Sequence, residues 1–254
     1  MTATEKANAF RRRKGGKKIA MLTAYDYPMA RLLDESGIDS LLVGDSLGMV
    51  VLGFPDTTHV TMAHMLHHIA AVARAKPRAL IIGDMPIHSY DTAEMAVANA
   101  EKLAAAGADA VKLEGGISEA EKVRAIVATG IPVIGHLGML PQHVLEEGGY
   151  KKKGKTDEQR TALLGDAHAL VSAGVSGIVL ESVVPATARF LTEQISVPTI
   201  GIGCGNGTCD GEVAVITDLI GSFPWFVPPF AKPEADVAAA LRDAAGKFIA
   251  RVMQ

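Results

Sequence analysis

The chain has 254 residues, 48% of them hydrophobic, and a formal net charge of -3, which allows a large core and gives no electrostatic case for nucleic acid or an anionic membrane as its main partner. Its two cysteines, Cys204 and Cys209, exclude a disulfide framework and a four-ligand zinc pattern, so a reducing cytoplasmic location is expected. The basic stretch 11–18 precedes an apolar run, Ile19 to Leu22, too short for a signal-peptide core or a membrane span. The stretch reads as a solvated helix end and loop packed beside the first strand.

Ile19–Ala24 reads as that first strand, followed by a helix that Asp26 caps and Gly37 ends. A second strand spans 40–43, and 48–61, with Gly53 and Pro55, reads as a long loop. The apolar spacing of Met65, Leu66, Ile69 and Val72 predicts a helix over 62–75. A third strand is expected over 79–83, then a helix capped by Asp91 or Thr92 and stopped by Gly107. Ala110–Glu114 is the fourth strand, with a helix over 118–128, and 132–135 the fifth, leading into a polar loop over 138–156. A helix over about 157–173 ends at Gly174, and strands at 177–180 and 198–201 flank a helix at about 185–194. A last short helix and strand fall within 210–220, and 234–252 reads as an amphipathic helix.

Alternating strand and helix without a break in composition predicts one domain over 1–254 built on a parallel sheet. Both a closed (β/α)8 TIM barrel and an open doubly wound sheet satisfy the alternation. The barrel is favoured because so many successive apolar runs stop at a polar residue: Asp45, Asp84, Lys112 with Glu114, His136 and Glu181. A barrel gathers such residues at one mouth, whereas an open sheet concentrates its site at one switch point. The N-terminal stretch and the tail add a helix at each end.

Residues two apart on a strand share a face, so Lys112 and Glu114 point the same way. Clustered carboxylates repel, and a divalent cation removes the difficulty. Asp45, Asp84 and Glu114 offer hard oxygen ligands with no companion thiolate, which suits Mg2+ with retained waters better than zinc. Lys112 could be a structural ion pair, a Schiff-base amine or a cation that holds a substrate carboxylate; nearby acids keep it protonated and favour the last. His136 reads either as a core histidine or as a hydrogen-bonding group toward substrate. Glu181, apart from the proposed metal ligands, suits proton abstraction. The run 201–207 offers Gly201, Gly203 and Gly205 for close approach to a flat or anionic ligand, or simply a tight turn. His64 and His68 have i, i+4 spacing but no glutamate between them, so packing or solvation is expected of them.

Several stretches together carry a resemblance: Met21-Leu-Thr-Ala-Tyr-Asp-Tyr27, Val43-Gly-Asp-Ser-Leu-Gly48, Val111-Lys-Leu-Glu-Gly-Gly116, Gly135-His-Leu-Gly138 with Pro141-Gln142, Gly148-Gly-Tyr-Lys151, and Gly201-Ile-Gly203 with Cys209-Asp-Gly211. On these the chain resembles the ketopantoate hydroxymethyltransferase (3-methyl-2-oxobutanoate hydroxymethyltransferase) family over nearly its whole length. The resemblance implies a (β/α)8 barrel that transfers a one-carbon unit from 5,10-methylenetetrahydrofolate to 3-methyl-2-oxobutanoate, through a Mg-stabilised enolate, to give 2-dehydropantoate for pantothenate synthesis. It places one Mg2+ per subunit on Asp45, Asp84 and, directly or through water, Glu114, and substrate contacts on Asp45, Ser46, Asp84, Lys112 and His136. It makes Glu181 the base and implies a homo-oligomer, commonly a decamer, with 223–230 and the tail helix as candidate contacts.

The chain departs from the family's pattern at Met139-Leu140, Gly53-Phe54, Cys204 and Trp225-Phe-Val-Pro228, none of them a proposed catalytic residue. A rival enzyme class is the phosphoenolpyruvate mutase and isocitrate lyase superfamily, whose lyase members carry a cysteine in a loop that here reads Gly-Gly-Tyr-Lys-Lys-Lys-Gly-Lys. A non-catalytic scaffold would have no need of the four acids.

Overall fold

The computed structural model describes residues 1–254, which form two compact units, 1–213 and 214–254. The sequence alone reads as one domain over the same span.

The first unit is built on a closed barrel of eight parallel strands in sequential order. The strands are β1 (Ile19–Thr23), β2 (Ser40–Val43), β3 (Leu80–Asp84), β4 (Ala110–Glu114), β5 (Val133–Gly138), β6 (Gly177–Glu181), β7 (Thr199–Ile202) and β8 (Gly211–Ala214), the last reaching the boundary between units. Between them run α2 (Tyr27–Glu35), α3 (Leu47–Val50), α4 (Met62–Ala73), α5 (Ala93–Ala105), α6 (Ala120–Ala128), α7 (Asp157–Ala173) and α8 (Pro185–Gln194), while α1 (Ala3–Arg11) precedes β1. Asp26, Thr61, Thr92 and Thr156 cap α2, α4, α5 and α7, each side-chain oxygen accepting from a backbone N–H of the first turn. Gly174 ends α7 with φ +102°, a backbone that glycine adopts without strain. No helix is long and apolar enough to cross a membrane.

The inward faces change character along the strands. Leu80, Ile82, Ala110, Ile134 and Val179 join Ile19, Met21, Leu42, Ile200 and Val213 in one apolar core. The next residues in period two along the same strands are Asp84, Lys112, His136 and Glu181, and Glu114 follows Lys112 on β4. The barrel is thus oily at the end where its strands begin and charged where they finish.

From α1, Ala7 and Phe10 join the apolar core. A methyl group on Gly177, at the start of β6, would lie 2.6 Å from the Phe10 ring, so glycine there makes room for the phenyl. Phe10→Ala is expected to cost about 3–5 kcal/mol in urea unfolding, the ordinary penalty for emptying a buried aromatic site.

Two residues of the basic N-terminal stretch pair with acids, Arg13 with Asp39 and Lys14 with Asp210, and Lys6 before it pairs with Asp109, each at 2.8–2.9 Å. Asp210 also accepts the N–H groups of Gly15 and Thr199. Burial works against its ionisation, but these N–H groups and the Lys14 ammonium outweigh burial and hold its carboxyl below the ordinary 3.8. A carboxylate with a depressed pKa adds stability that is present above its unfolded value and is lost as pH falls through the folded one. Asp210→Asn is therefore expected to flatten the acid limb of thermal stability below about pH 4.

Three expectations need correcting. β5 runs to Gly138, beyond the expected end at 135, with Leu137 and Gly138 paired to Leu180 and Glu181. The missing side chain of Gly135 makes room for Leu170, whose Cδ1 lies 2.7 Å from where a methyl group would sit. Near the end of the barrel the strand comes first, 211–214, and the short helix second. The expected loop over 48–61 contains the end of α3 and a single 3-10 turn over 57–59 capped by Asp56.

The second unit holds α9 (Ile216–Leu219) and α10 (Val237–Val252), the latter capped by Asp236 and starting three residues later than expected. Of α10 only Ala238 is buried. Leu241, Phe248, Ile249 and Val252 are exposed, as are Trp225, Phe226 and Phe230.

Candidate active site

Parallel pairing sets the site. Asp84 lies opposite Lys112 across β3 and β4, and Glu114 opposite His136 across β4 and β5, while Glu181 ends β6. Asp45 follows β2 by two residues, and its backbone N–H donates to Asp84 Oδ2 at 3.1 Å. Six residues from five strands or strand ends thus converge, as the alternation of the sequence predicts.

Contacts then chain them together. Lys112 Nζ lies 2.6 Å from Asp84 Oδ1 and 3.2 Å from His136 Nδ1. His136 Nδ1 is 3.3 Å from Glu114 Oε1, and its Nε2 is 3.4 Å from Glu181 Oε2. The imidazole therefore stands between the deeply buried acids and Glu181, whose side chain is 15% exposed against 1% for Glu114 and 2% for Asp84.

The charges decide the protonation states. Burial favours a neutral Lys112, but Asp84, Glu114 and Asp45 outweigh it and raise its pKa, so the amine stays an ammonium and not a Schiff-base nucleophile. Burial and Lys112 push the His136 pKa down, yet Glu114 and Glu181 on its two sides bring it up to about 9. Nδ1 cannot both accept from Lys112 and donate to Glu114; the acids prevail, and the imidazolium donating toward both glutamates is the favoured state. Burial opposes ionisation of Glu114, but His136 and Lys112 lower its pKa. Burial, reinforced by Asp84 and Glu114, pushes Asp45 well up, and burial likewise raises Asp84 against the pull of Lys112.

The donor set fits a hard divalent cation. No three acid, histidine or cysteine side chains already close on one point as a cage. Mg2+ does not need one, since it keeps waters and takes one or two carboxylates together with substrate oxygens. Asp84 Oδ1 and Glu114 Oε1 are buried without a hydrogen bond of proper geometry, their close neighbours being the cationic Lys112 and His136. Asp45 and Asp84, raised by burial, would gain from such a charge.

Ser46 starts the short α3 and its Oγ lies 3.0 Å from the Tyr25 hydroxyl. The glycine run has folding work of its own: a methyl on Gly201 would lie 3.1 Å from Cys209 Sγ, and Gly203 and Gly205 have φ of +67° and +88°. His64 accepts the Thr61 N–H as part of the α4 cap, and His68 contacts the Tyr25 carbonyl, the packing roles expected of them without a glutamate between. Gln142 and Tyr90 carry no role in the sequence reading, yet both are buried in the site. Pro141-Gln142 directly after the fifth strand was the available signal for one; nothing in sequence marks Tyr90.

Comparison with known proteins bears on the whole chain. The family model described as ketopantoate hydroxymethyltransferase matches residues 4–254. The 3-methyl-2-oxobutanoate hydroxymethyltransferase of Ignicoccus hospitalis is 57% identical over 240 residues, covering 94% of this chain and 90% of that one. The protein of the same name from Pyrobaculum neutrophilum is 53% identical, covering 94% and 91%. Among solved structures, a phosphonopyruvate hydrolase superposes with a TM-score of 0.68 at 16% identity, covering 100% of this chain and 87% of that one. A 2,3-dimethylmalate lyase of the PEP mutase/isocitrate lyase superfamily gives 0.67 at 18% identity, covering 97% and 87%. At such identities these structures show a shared fold alone.

Proposed function

The chain belongs to the ketopantoate hydroxymethyltransferase family, and from that premise we propose that its donor is 5,10-methylenetetrahydrofolate and that Mg2+ is its metal. It is an enzyme that puts a hydroxymethyl group on 3-methyl-2-oxobutanoate in pantothenate synthesis. The observation that carries the mechanism is the division of the acids: Asp45, Asp84 and Glu114 buried on one side of His136, and Glu181 on the other.

Asp45 and Asp84 would hold the cation, with Glu114 reaching it directly or through water. When bound, the cation supplies Lewis-acid withdrawal of charge from the keto and carboxylate oxygens of the substrate. Lys112, an ammonium in a buried site, neutralises the negative charge of substrate and enolate where little water competes. Glu181 would take the proton from C3 of the ketoacid; that carbon would bond to the methylene carbon of the folate as one C–N bond of the folate breaks, and water would supply the hydroxyl oxygen as the second C–N bond breaks and tetrahydrofolate leaves. His136, which donates toward Glu181, orients that carboxylate and stabilises charge beside it. Ser46, whose hydroxyl lies 3.0 Å from that of Tyr25, is proposed to bind the substrate. Gly201, Gly203 and Gly205 are proposed for the folate.

The lyase reading rests on fold likeness at 16–18% identity, while the family match rests on relatives at 53–57%. A homo-oligomer, expected as a decamer, is proposed on the exposed apolar residues of α10 and of 225–230, and a cytoplasmic location on the metabolic role. Sedimentation of the purified protein as a monomer would reject the first.

The reaction is tested by NMR of 3-methyl-2-oxobutanoate in D2O with the enzyme and Mg2+, following the C3 proton. Exchange that stops on adding EDTA and returns with Mg2+ is expected; exchange indifferent to chelation would reject the metal.

A further inference from the structure

We propose that Gln142 is a positioning residue that sets the two flanks of the cation site at once. The inference rests on the metal reading above and assigns a role to a residue outside the carboxylates themselves. Gln142 sits on the turn after β5, is 2% exposed, and every polar atom of its side chain is engaged. Its Nε2 donates to Asp45 Oδ2 at 2.8 Å and to the Met85 carbonyl at 2.9 Å. Its Oε1 accepts from the Tyr90 hydroxyl at 2.5 Å, and its backbone N–H donates to Glu114 Oε2 at 3.1 Å.

The chemistry of these partners fixes which way the amide points. A carboxamide has two N–H donors and one accepting oxygen. Turned over, it would set its oxygen against Asp45 Oδ2 and the Met85 carbonyl, an acceptor against two acceptors. The Tyr90 phenol, with an ordinary pKa of about 10, keeps its proton at neutral pH and donates it to Gln142 Oε1. Tyr90 orients Gln142, and Gln142 orients the acids.

For the acids the consequence is that one oxygen of each is taken. Asp45 Oδ2 and Glu114 Oε2 are engaged by Gln142, leaving Asp45 Oδ1 for an ion, while Glu114 Oε1, which has His136 Nδ1 3.3 Å away, is the oxygen through which Glu114 would reach the ion or its waters. Asp45 and Glu114 leave different strands, β2 and β4, and Gln142 arrives from β5, so a single residue ties three parts of the barrel mouth. Outer partners that hold ligating carboxylates in this way typically govern metal affinity by about 10- to 100-fold.

The test is direct binding of Mn2+ to the full-length enzyme by electron paramagnetic resonance, with kcat at saturating Mn2+ as a second readout. Gln142→Ala is expected to weaken Mn2+ by about 10- to 100-fold while kcat at saturating metal falls much less. Gln142→Glu is expected to weaken it at least as far, because a carboxylate would face Asp45 Oδ2 and the Met85 carbonyl. Tyr90→Phe, which removes one hydroxyl and no packing, should shift affinity the same way by less. General damage to the fold would instead lower kcat at saturating metal. Mn2+ bound by Gln142→Ala and Tyr90→Phe as tightly as by the parent, with Asp84→Ala binding none, overturns this inference and leaves the metal reading standing. Should Gln142→Ala not fold, unchanged affinity in Tyr90→Phe overturns it alone. A parent enzyme that binds no Mn2+ removes both.

Discussion

Glu181→Gln is expected to slow metal-dependent exchange of the C3 proton of 3-methyl-2-oxobutanoate by about 10²- to 10⁴-fold, the usual contribution of a positioned general base. The amide keeps the shape of the side chain and leaves an oxygen facing His136 Nε2, which lies 3.4 Å from Glu181 Oε2, but it cannot take a proton. Binding of the ketoacid in the presence of Mg2+ should survive, because the proposed metal carboxylates and Lys112 lie beyond His136 from the substituted residue. Isothermal titration with the ketoacid, set beside the NMR exchange rate, separates the two effects. Lost binding with intact exchange would show that Glu181 holds substrate and that another group is the base.

Asp84→Ala is expected to abolish measurable Mg2+ dependence and to cost stability even in EDTA, by about 3–5 kcal/mol. The second effect follows from Lys112, 3% exposed, whose ammonium would lose the carboxylate 2.6 Å away. Removing one partner of a buried pair leaves the other charge unsolvated, and that residue dominates the penalty. Adding Lys112→Met to Asp84→Ala should therefore recover part of the stability and none of the activity. Urea unfolding of the single and double variants in EDTA checks this. If the single variant is as stable as the parent, the pair at 2.6 Å has little energetic weight; if Mg2+ titrates unchanged, Asp84 is not a ligand.

Much of the barrel is legible because helix and strand signals are local. Asp26, one of Asp91 and Thr92, and Gly174 are expected to bound α2, α5 and α7, and Asp26, Thr92 and Gly174 do so. At Gly135 the local reading fails. Gly135 looks like a strand end and is instead a space for Leu170, a neighbour 35 positions away that no local pattern reveals. The strand consequently runs on to Gly138, where a methyl group would meet the Glu181 carbonyl at 2.2 Å.

The site divides in the same way. By itself the sequence determined the acids and the cations, since Asp45, Asp84, Lys112, Glu114, His136 and Glu181 each end an apolar run, and period two puts Lys112 and Glu114 on one face. Tertiary structure alone decided how they divide, because parallel register sets Asp84 against Lys112 and places His136 between Glu114 and Glu181. It alone brought in Gln142 and Tyr90, an amide and a phenol 52 residues apart whose hydrogen bond exists only once the barrel has closed. Ionisable residues at strand ends are a local property of the chain, whereas the partner that orients a buried carboxylate comes from whichever strand the fold sets beside it.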